Sequence, residues 1–169
     1  EAAARGHRVI GAVEATGNPG IGKSLRDLGI ADFETRIVDS EEVHKATANA
    51  DVYITFTTPS AEIHNIPIVA GLGKRIVLGT TGFTEEQNKR IQEAVEGKVP
   101  AVFSPNYSIG VNVLFKLAKD LGSFPQDYNF SISEIHHKAK KDAPSGTAVK
   151  LGQIIAGIRG YPTTVHGRE

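Results

Sequence analysis

The sequence predicts an α/β chain, with a domain built on a parallel sheet followed by a smaller α+β domain. Three observations carry this. Over residues 8–103, short continuous apolar runs alternate with stretches of helical character. Each run ends in a turn of small polar, glycine or proline residues. After Tyr107 the order changes to helix, alternating strand, basic loop and helix. Continuous apolar runs mark strands buried on both faces, as in a parallel sheet covered by helices.

The elements follow in order. Residues 8–14 read as a buried strand closing on an acid, Glu14. Residues 16–22 are a glycine- and proline-rich loop. Residues 36–38 are a short strand, and Ser40 is placed to cap a helix over 41–49. Residues 51–56 form a strand that runs into Thr57, Thr58, Pro59 and Ser60, with a helix within 61–72. Residues 75–78 form a strand ending in Gly79, Thr80, Thr81 and Gly82. Thr84 caps a helix over 85–95, and Gln87 completes a capping box. Residues 100–103 form the last strand of the domain and end in Ser104, Pro105, Asn106 and Tyr107. This divides the chain into domains 1–107 and 108–169. In the second, Val111, Leu114, Phe115, Ala118 and Leu121 have the spacing of an amphipathic helix over 108–121. Residues 128–135 alternate Tyr128, Phe130 and Ile132 with polar neighbours and predict a half-buried strand. A helix follows from about Thr147 to Ile158.

The 19 basic and 19 acidic residues cancel, so no overall field draws nucleic acid. No apolar run is long enough to span a bilayer, and the N-terminus lacks a signal-peptide pattern. The absence of cysteine excludes a disulfide framework and a thiolate metal site. A soluble cytoplasmic protein is expected. There is no methionine, the chain opens as if on the tail of a helix capped by Gly6, and it stops without a closing element. The expectation is a fragment cut at both ends.

The chemistry concentrates in Glu134-Ile-His-His-Lys-Ala-Lys-Lys-Asp-Ala-Pro-Ser-Gly-Thr147. Alone, such a run reads as a solvated basic loop. Here it follows a predicted strand, so His136 and His137 sit at a strand's C-terminal end, where α/β proteins bind ligands, and point to opposite faces. The turn that follows exposes backbone N–H groups at the start of a helix, where an anion is held. Lys140 and an imidazole can supply protons. The run is a site for a small polyanion that must be protonated.

The strand ends add to this. An acid such as Glu14 bonds the adenosine ribose in dinucleotide-binding folds, or is an ordinary exposed glutamate. The glycines of 17–22 are not a phosphate loop, because that loop precedes the acid by about 20 residues. Phe56-Thr57-Thr58 and Gly79-Thr80-Thr81-Gly82 let a flat cofactor approach the backbone, with residues 104–107 as a third turn. No metal site is expected, since His136 and His137 are adjacent rather than spaced to share one face. Ser145 lacks the Gly-x-Ser-x-Gly context of a nucleophile. His7, His44, His64 and His166 read as surface residues.

Taken together, these segments resemble the dihydrodipicolinate reductase family. Glu134-x-His-His-x-x-Lys-x-Asp-Ala-Pro-Ser-Gly-Thr147 resembles the family's substrate signature. Val77-Leu-Gly-Thr-Thr-Gly-Phe83, Ser104-Pro-Asn-Tyr-Ser-Ile-Gly-Val-Asn112 and Phe56-Thr-Thr-Pro59 are similar to further family segments. The resemblance implies a Rossmann-like domain, here lacking its first strand and glycine-rich loop. It implies an incomplete second domain that binds substrate and builds a homotetramer. The reaction would be NADH- or NADPH-dependent reduction of a small dicarboxylate, 4-hydroxy-tetrahydrodipicolinate, to tetrahydrodipicolinate on the way to diaminopimelate and lysine. On the resemblance, His136 and Lys140 are catalytic. Glu14, Phe56, Thr57, Gly79, Thr80, Thr81, Ser104, Pro105, Asn106 and Tyr107 hold the cofactor. His137, Lys140, Ser145, Gly146 and Thr147 bind the substrate. After Glu14 the chain has Ala15 and Thr16, where some family members carry an arginine for a 2′-phosphate. That favours NADH, or dual use with Lys23 or Arg26 substituting. The non-enzymatic alternative is a nucleotide- or anion-binding module without turnover.

Overall fold

The structure is a computed structural model that describes residues 2–138, 140 and 143–160. It divides into two compact units, Glu1–Phe103 and Ser104–Glu169.

The first unit holds five parallel-paired strands in two sheets. Strands β1 (Ala12–Glu14) and β2 (Ile37–Asp39) form one sheet, with Glu14 opposite Asp39. Strands β3 (Val52–Thr55), β4 (Arg75–Leu78) and β5 (Ala101–Phe103) form the other, in that order. In the three-stranded sheet each pair is joined by a helical crossover, whereas β1 and β2 are joined through residues 15–36 by turns and one isolated bridge, between Ser24 and Arg36. The helices are α1 (Val43–Thr47), α2 (Pro59–Gly71) and α3 (Glu85–Val95).

Local chemistry places the helix starts. The capping box of α3 is present, with Thr84 accepting from the Gln87 N–H at 3.2 Å and Gln87 accepting from the Thr84 N–H at 2.9 Å. Helix α2 begins two residues before the expected Ala61. Thr58 caps it and Pro59 takes the first turn, where proline's missing N–H costs nothing. Ser40 is not the cap expected for the helix that leads into α1. Asp39 accepts from the Glu41 N–H at 3.0 Å, and Ser40 lies inside a 3₁₀ turn, Ser40–Glu42. Asp39, one residue earlier, takes the cap position, and Ser40 is already the first residue of the turn.

The core of this unit is Val43, Ile66, Val69, Ala70, Ile76, Leu78 and Ile91. These residues bury one face of the three-stranded sheet under α2 and α3. Alternate residues point the other way, and Val52, Ile54 and Val102 there are 40%, 57% and 55% exposed. The expectation of a sheet covered on both faces is therefore met on one face only among the described residues.

The second unit has helix α4 (Ile109–Ala118), a 3₁₀ segment over Lys119–Ser123 and helix α5 (Gly146–Arg159). Ser108 caps α4, Ser145 caps α5, and Gly160 closes α5 in the left-handed conformation at φ 72. The strand expected over 128–135 does not form. A lone strand has no ladder to satisfy its backbone, and no neighbouring strand exists among the described residues. Ile135 is 98% exposed.

What pins this segment is Arg159 at the end of α5. Its guanidinium donates to the carbonyls of Phe124 at 2.7 Å, Pro125 at 2.6 Å and Tyr128 at 3.3 Å, and lies 5.2 Å from the Phe130 ring centroid. A cation suits a helix C-terminus, and the fork matches several carbonyls at once. Arg159→Ala removes these three charge-assisted bonds and the ring contact, and destabilises the chain by about 1–3 kcal/mol. Arg159→Lys recovers less than half of that, because one ammonium cannot span three acceptors. Urea unfolding of the three proteins checks this.

No helix among the described residues is long and apolar enough to cross a membrane.

Candidate active site

In the first unit, the C-terminal ends of β1, β3 and β4 carry the residues singled out from sequence. Glu14 is exposed at the end of β1, and its Oε2 accepts from the Ala15 N–H at 3.2 Å. Asp39 stands opposite and accepts from the Thr16 hydroxyl at 2.8 Å. The Glu41 N–H and the Thr16 hydroxyl hold Asp39 below the usual carboxylate range. Arg26, considered above for a 2′-phosphate, is already engaged by Asp32 at 2.6 Å and by Glu34. Lys23 remains an exposed cation of that loop.

The turns after β3 and β4 meet. The Thr57 N–H donates to Thr80 Oγ1 at 2.8 Å. The Phe56 ring lies against Gly79, where a Cβ would overlap the ring atoms. Glycine here is a requirement of close approach rather than of φ. Phe56 is 64% exposed. The hydroxyls of Thr57 and Thr80 turn inward to Glu62, so the backbone, the Phe56 ring and half-buried Thr81 are what these turns offer a ligand.

Glu62 went unremarked in the sequence. A glutamate in a helix's first turn reads as an exposed acid favoured by the helix dipole. Here it is fully buried, and only the convergence of two strand ends on α2 reveals why.

In the second unit, residues 104–108 fold on themselves. The Ser104 hydroxyl donates to the Asn106 carbonyl at 2.7 Å, and Asn106 Oδ1 accepts from the Ser108 N–H at 2.8 Å. Pro105 is half-buried between them and Tyr107 is 40% exposed. Asn106 Nδ2 donates to Thr147 Oγ1 at 3.2 Å. The Thr147 hydroxyl proton is thereby turned away from Asn106 and toward any acceptor that arrives. Gly146 and Thr147 open α5, where N–H groups lack intrahelical partners.

Glu134, quoted in the signature but given no role, is the hub of this half. Its Oε1 accepts from the Ser145 N–H at 2.7 Å, and its Oε2 accepts from the Ser145 hydroxyl at 2.5 Å. His136 Nε2 donates to the same Oε2 at 2.9 Å. The Ser145 hydroxyl, the His136 ring and the Ser145 N–H, in that order, hold the Glu134 carboxyl down to about 2. An ionised carboxylate only accepts, so His136 carries its hydrogen on Nε2 and leaves Nδ1 for other chemistry. The spacing of Glu134 and His136, two apart on one face of an extended segment, was the available signal.

Ser145 is thus buried and held by Glu134, and frames the turn. His137 is exposed, and its carbonyl accepts from the Lys140 N–H at 3.1 Å. Lys140 is half-buried. Asp142 and His166 lie outside the described residues. Among the described residues no group of three or more histidines or acids is placed to hold a metal ion.

Comparison with known proteins converges on one family. Residues 2–107 match the family described as "Dihydrodipicolinate reductase, N-terminus", and residues 110–168 match "Dihydrodipicolinate reductase, C-terminus". The chain is 48% identical over 146 residues to the 4-hydroxy-tetrahydrodipicolinate reductase of Methanosarcina acetivorans, covering 86% of this chain and 54% of that one. It is 45% identical over 153 residues to that of Anaeromyxobacter dehalogenans, covering 89% and 56%. The dipicolinate-bound dihydrodipicolinate reductase from Paenisporosarcina sp. TG-14 shares the fold with a TM-score of 0.58 and 25% identity, over 94% of this chain and 60% of that one. The chain spans about half the length of the curated relatives it matches. With both halves matched in order, and the fold and signature segments in agreement, this chain belongs to the dihydrodipicolinate reductase family.

Proposed function

We propose that the protein carrying this chain reduces 4-hydroxy-tetrahydrodipicolinate to tetrahydrodipicolinate with NADH or NADPH, in the cytoplasm and as a homotetramer. Residues 1–107 serve the nucleotide and residues 108–169 the dicarboxylate. The observation that carries the reading is the Glu134 clamp, which holds Ser145 and orients His136 beside a turn of anion-binding N–H groups.

The cofactor fits what the first unit offers. The exposed Phe56 side chain packed on Gly79 offers an apolar surface, and Glu14 is exposed at a strand end to accept from ribose hydroxyls. Phe56, Thr57, Gly79, Thr80 and Thr81 line the nicotinamide side, with Ser104, Pro105, Asn106 and Tyr107 following. With Arg26 paired to acids, NADH is the preferred of the two. When bound, the nicotinamide supplies the hydride.

The chain's residues do the rest. His137, Gly146 and Thr147 hold the carboxylates of a dianionic substrate, framed by Ser145. Loss of the 4-hydroxyl as water gives the conjugated imine, and hydride addition to it leaves electron density that must be met by a proton. Lys140 gives that proton while its charge neutralises the nearby carboxylate. His136, oriented by Glu134, polarises the same end.

The test follows nicotinamide oxidation by the protein completed to its relatives' length, with substrate made in situ by the synthase and with each cofactor in parallel. Turnover is expected, faster with NADH at equal concentration. No turnover with either cofactor overturns the reading.

Gly79→Ala adds a methyl where the Phe56 ring lies. The exposed ring swings away, so the fold keeps its stability, while cofactor affinity falls by roughly ten- to a hundredfold through misplacement of that apolar surface. Cofactor titration beside a melting curve separates the two effects.

A further inference from the structure

Glu62 is the largest buried polar feature that the proposed reaction leaves unexplained. It lies in the first turn of α2, beneath the ends of β3 and β4, and none of its surface is exposed. One carboxylate oxygen, Oε1, accepts from three hydroxyls, those of Thr55, Thr57 and Thr80, the last at 3.1 Å. Thr80 Oγ1 in turn accepts the Thr57 N–H. Backbone and side chain of Thr57, the side chain of Thr80 and the Glu62 carboxylate therefore close a ring that ties the turn after β3 to the turn after β4. The other oxygen, Oε2, is buried with no partner among the described residues.

Burying a carboxyl is costly unless its partners repay it, and here an apolar residue alone would strand the buried hydroxyls of Thr55 and Thr80. A half-used buried carboxylate calls for a reason beyond packing. The reason on view is placement. Three short hydroxyl side chains cannot meet each other across two strand ends, but one carboxylate can gather them. Its charge is felt nearby, since the Tyr53 phenol is pushed up by burial and, to a smaller degree, by Glu62.

We propose that Glu62 is a positioning residue for the nicotinamide cofactor, its buried carboxylate holding the Phe56–Thr58 and Gly79–Thr81 turns in the one mutual arrangement that accepts the ring. This rests on the function proposed above. Glu62 touches no reacting atom and acts through Thr57 and Thr80.

The experiment compares Glu62→Ala, Glu62→Gln and Thr80→Val with the wild type, in the protein completed to its relatives' length. It measures the dissociation constants of NADH and NADPH, KM for the dicarboxylate and kcat, and hydrogen exchange of the Thr57 amide. Glu62→Ala is expected to weaken cofactor binding by roughly tenfold, the weight of a small charge-assisted cluster. The KM of the dicarboxylate stays within about twofold, and Thr57 exchange speeds up. Glu62→Gln keeps an acceptor for the hydroxyls and recovers most of the affinity. Thr80→Val reproduces part of the loss by breaking the ring elsewhere, and decides the matter if Glu62→Ala does not fold. Unchanged cofactor affinity in a folded Glu62→Ala protein overturns the inference alone. Equal losses for cofactor and dicarboxylate do the same, by showing general damage. A wild type that binds neither cofactor overturns the proposed function, and this inference with it.

Discussion

On the proposed function, Lys140→Ala is expected to lower kcat of the protein completed to its relatives' length by about a hundredfold or more while leaving the cofactor dissociation constant unchanged. The expectation comes from the separation of duties between the two units. On the proposed function cofactor placement belongs to the turns after β3 and β4, whereas Lys140 stands in the second unit, half-buried, its N–H closing a turn onto the His137 carbonyl. Losing its ammonium removes a proton donor and a counter-charge together. Lys140→Arg tells these apart, because arginine keeps the charge and does not release its proton. It should restore substrate KM toward the wild type and leave kcat low. His136→Ala is expected to cost less than Lys140→Ala, because it removes polarisation and not the proton. Steady-state kinetics in both reactants check all three. Turnover in Lys140→Ala near the wild-type rate would remove Lys140 from the proton path.

Glu134→Ala carries the second large effect, and acid reveals it without any mutation. Ser145, His136 and the Ser145 N–H depress the Glu134 carboxyl from 4.5 to about 2 in the folded chain. A carboxylate depressed on folding contributes stability above its unfolded value, and loses it as the pH falls through the folded one. The second unit should therefore loosen progressively as the pH drops from about 4.5 to about 2. Glu134→Gln should flatten that part of the profile, since it has no proton to gain. At neutral pH, Glu134→Ala strands the N–H of buried Ser145 and frees the His136 ring. We expect a stability loss of about 1–2 kcal/mol and a larger fall in turnover, because the turn that starts α5 and the imidazole are no longer held to each other. Circular dichroism against pH and the amide signal of Ser145 report the two effects. A profile identical for wild type and Glu134→Gln would dismiss the clamp.

Much of the first unit was legible because its signals are local. Apolar runs at 75–78 and 100–103, closed by small polar turns, needed only their own composition to be read as strands. Thr84 and Gln87 specify the start of α3 by direct contact across three residues. What escaped depended on partners distant in sequence. The alternation at 128–135 is a real pattern, but a strand is made by its neighbour, and the neighbour is not among the described residues. Glu62 has the sequence context of a surface acid, and its burial follows from Thr55, Thr57 and Thr80 arriving from two other strand ends. In the site, residue types were readable from the signature, while the mutual bonds of Glu134, His136 and Ser145 required the chain to fold back over eleven residues. The inward aim of the Thr57 and Thr80 hydroxyls likewise depends on two turns meeting over Glu62.

The strand registers carry a consequence for how this chain comes together. Ala12 pairs with Ile37, Val52 with Arg75, and Ile76 with Ala101. Each strand docks beside one that left the ribosome about two dozen residues earlier, and no pairing waits for a distant part of the unit. The loop-closure entropies of the three steps are nearly equal, since they grow only with the logarithm of length. Parallel sheets ordinarily assemble slowly because their contacts are non-local. Here the non-locality comes in equal short strides, so nascent strands can be laid down in order of synthesis. Lengthening the 79–84 connection by a flexible dozen residues would slow the β4–β5 step only slightly, whereas swapping the order of β4 and β5 would remove the vectorial route altogether.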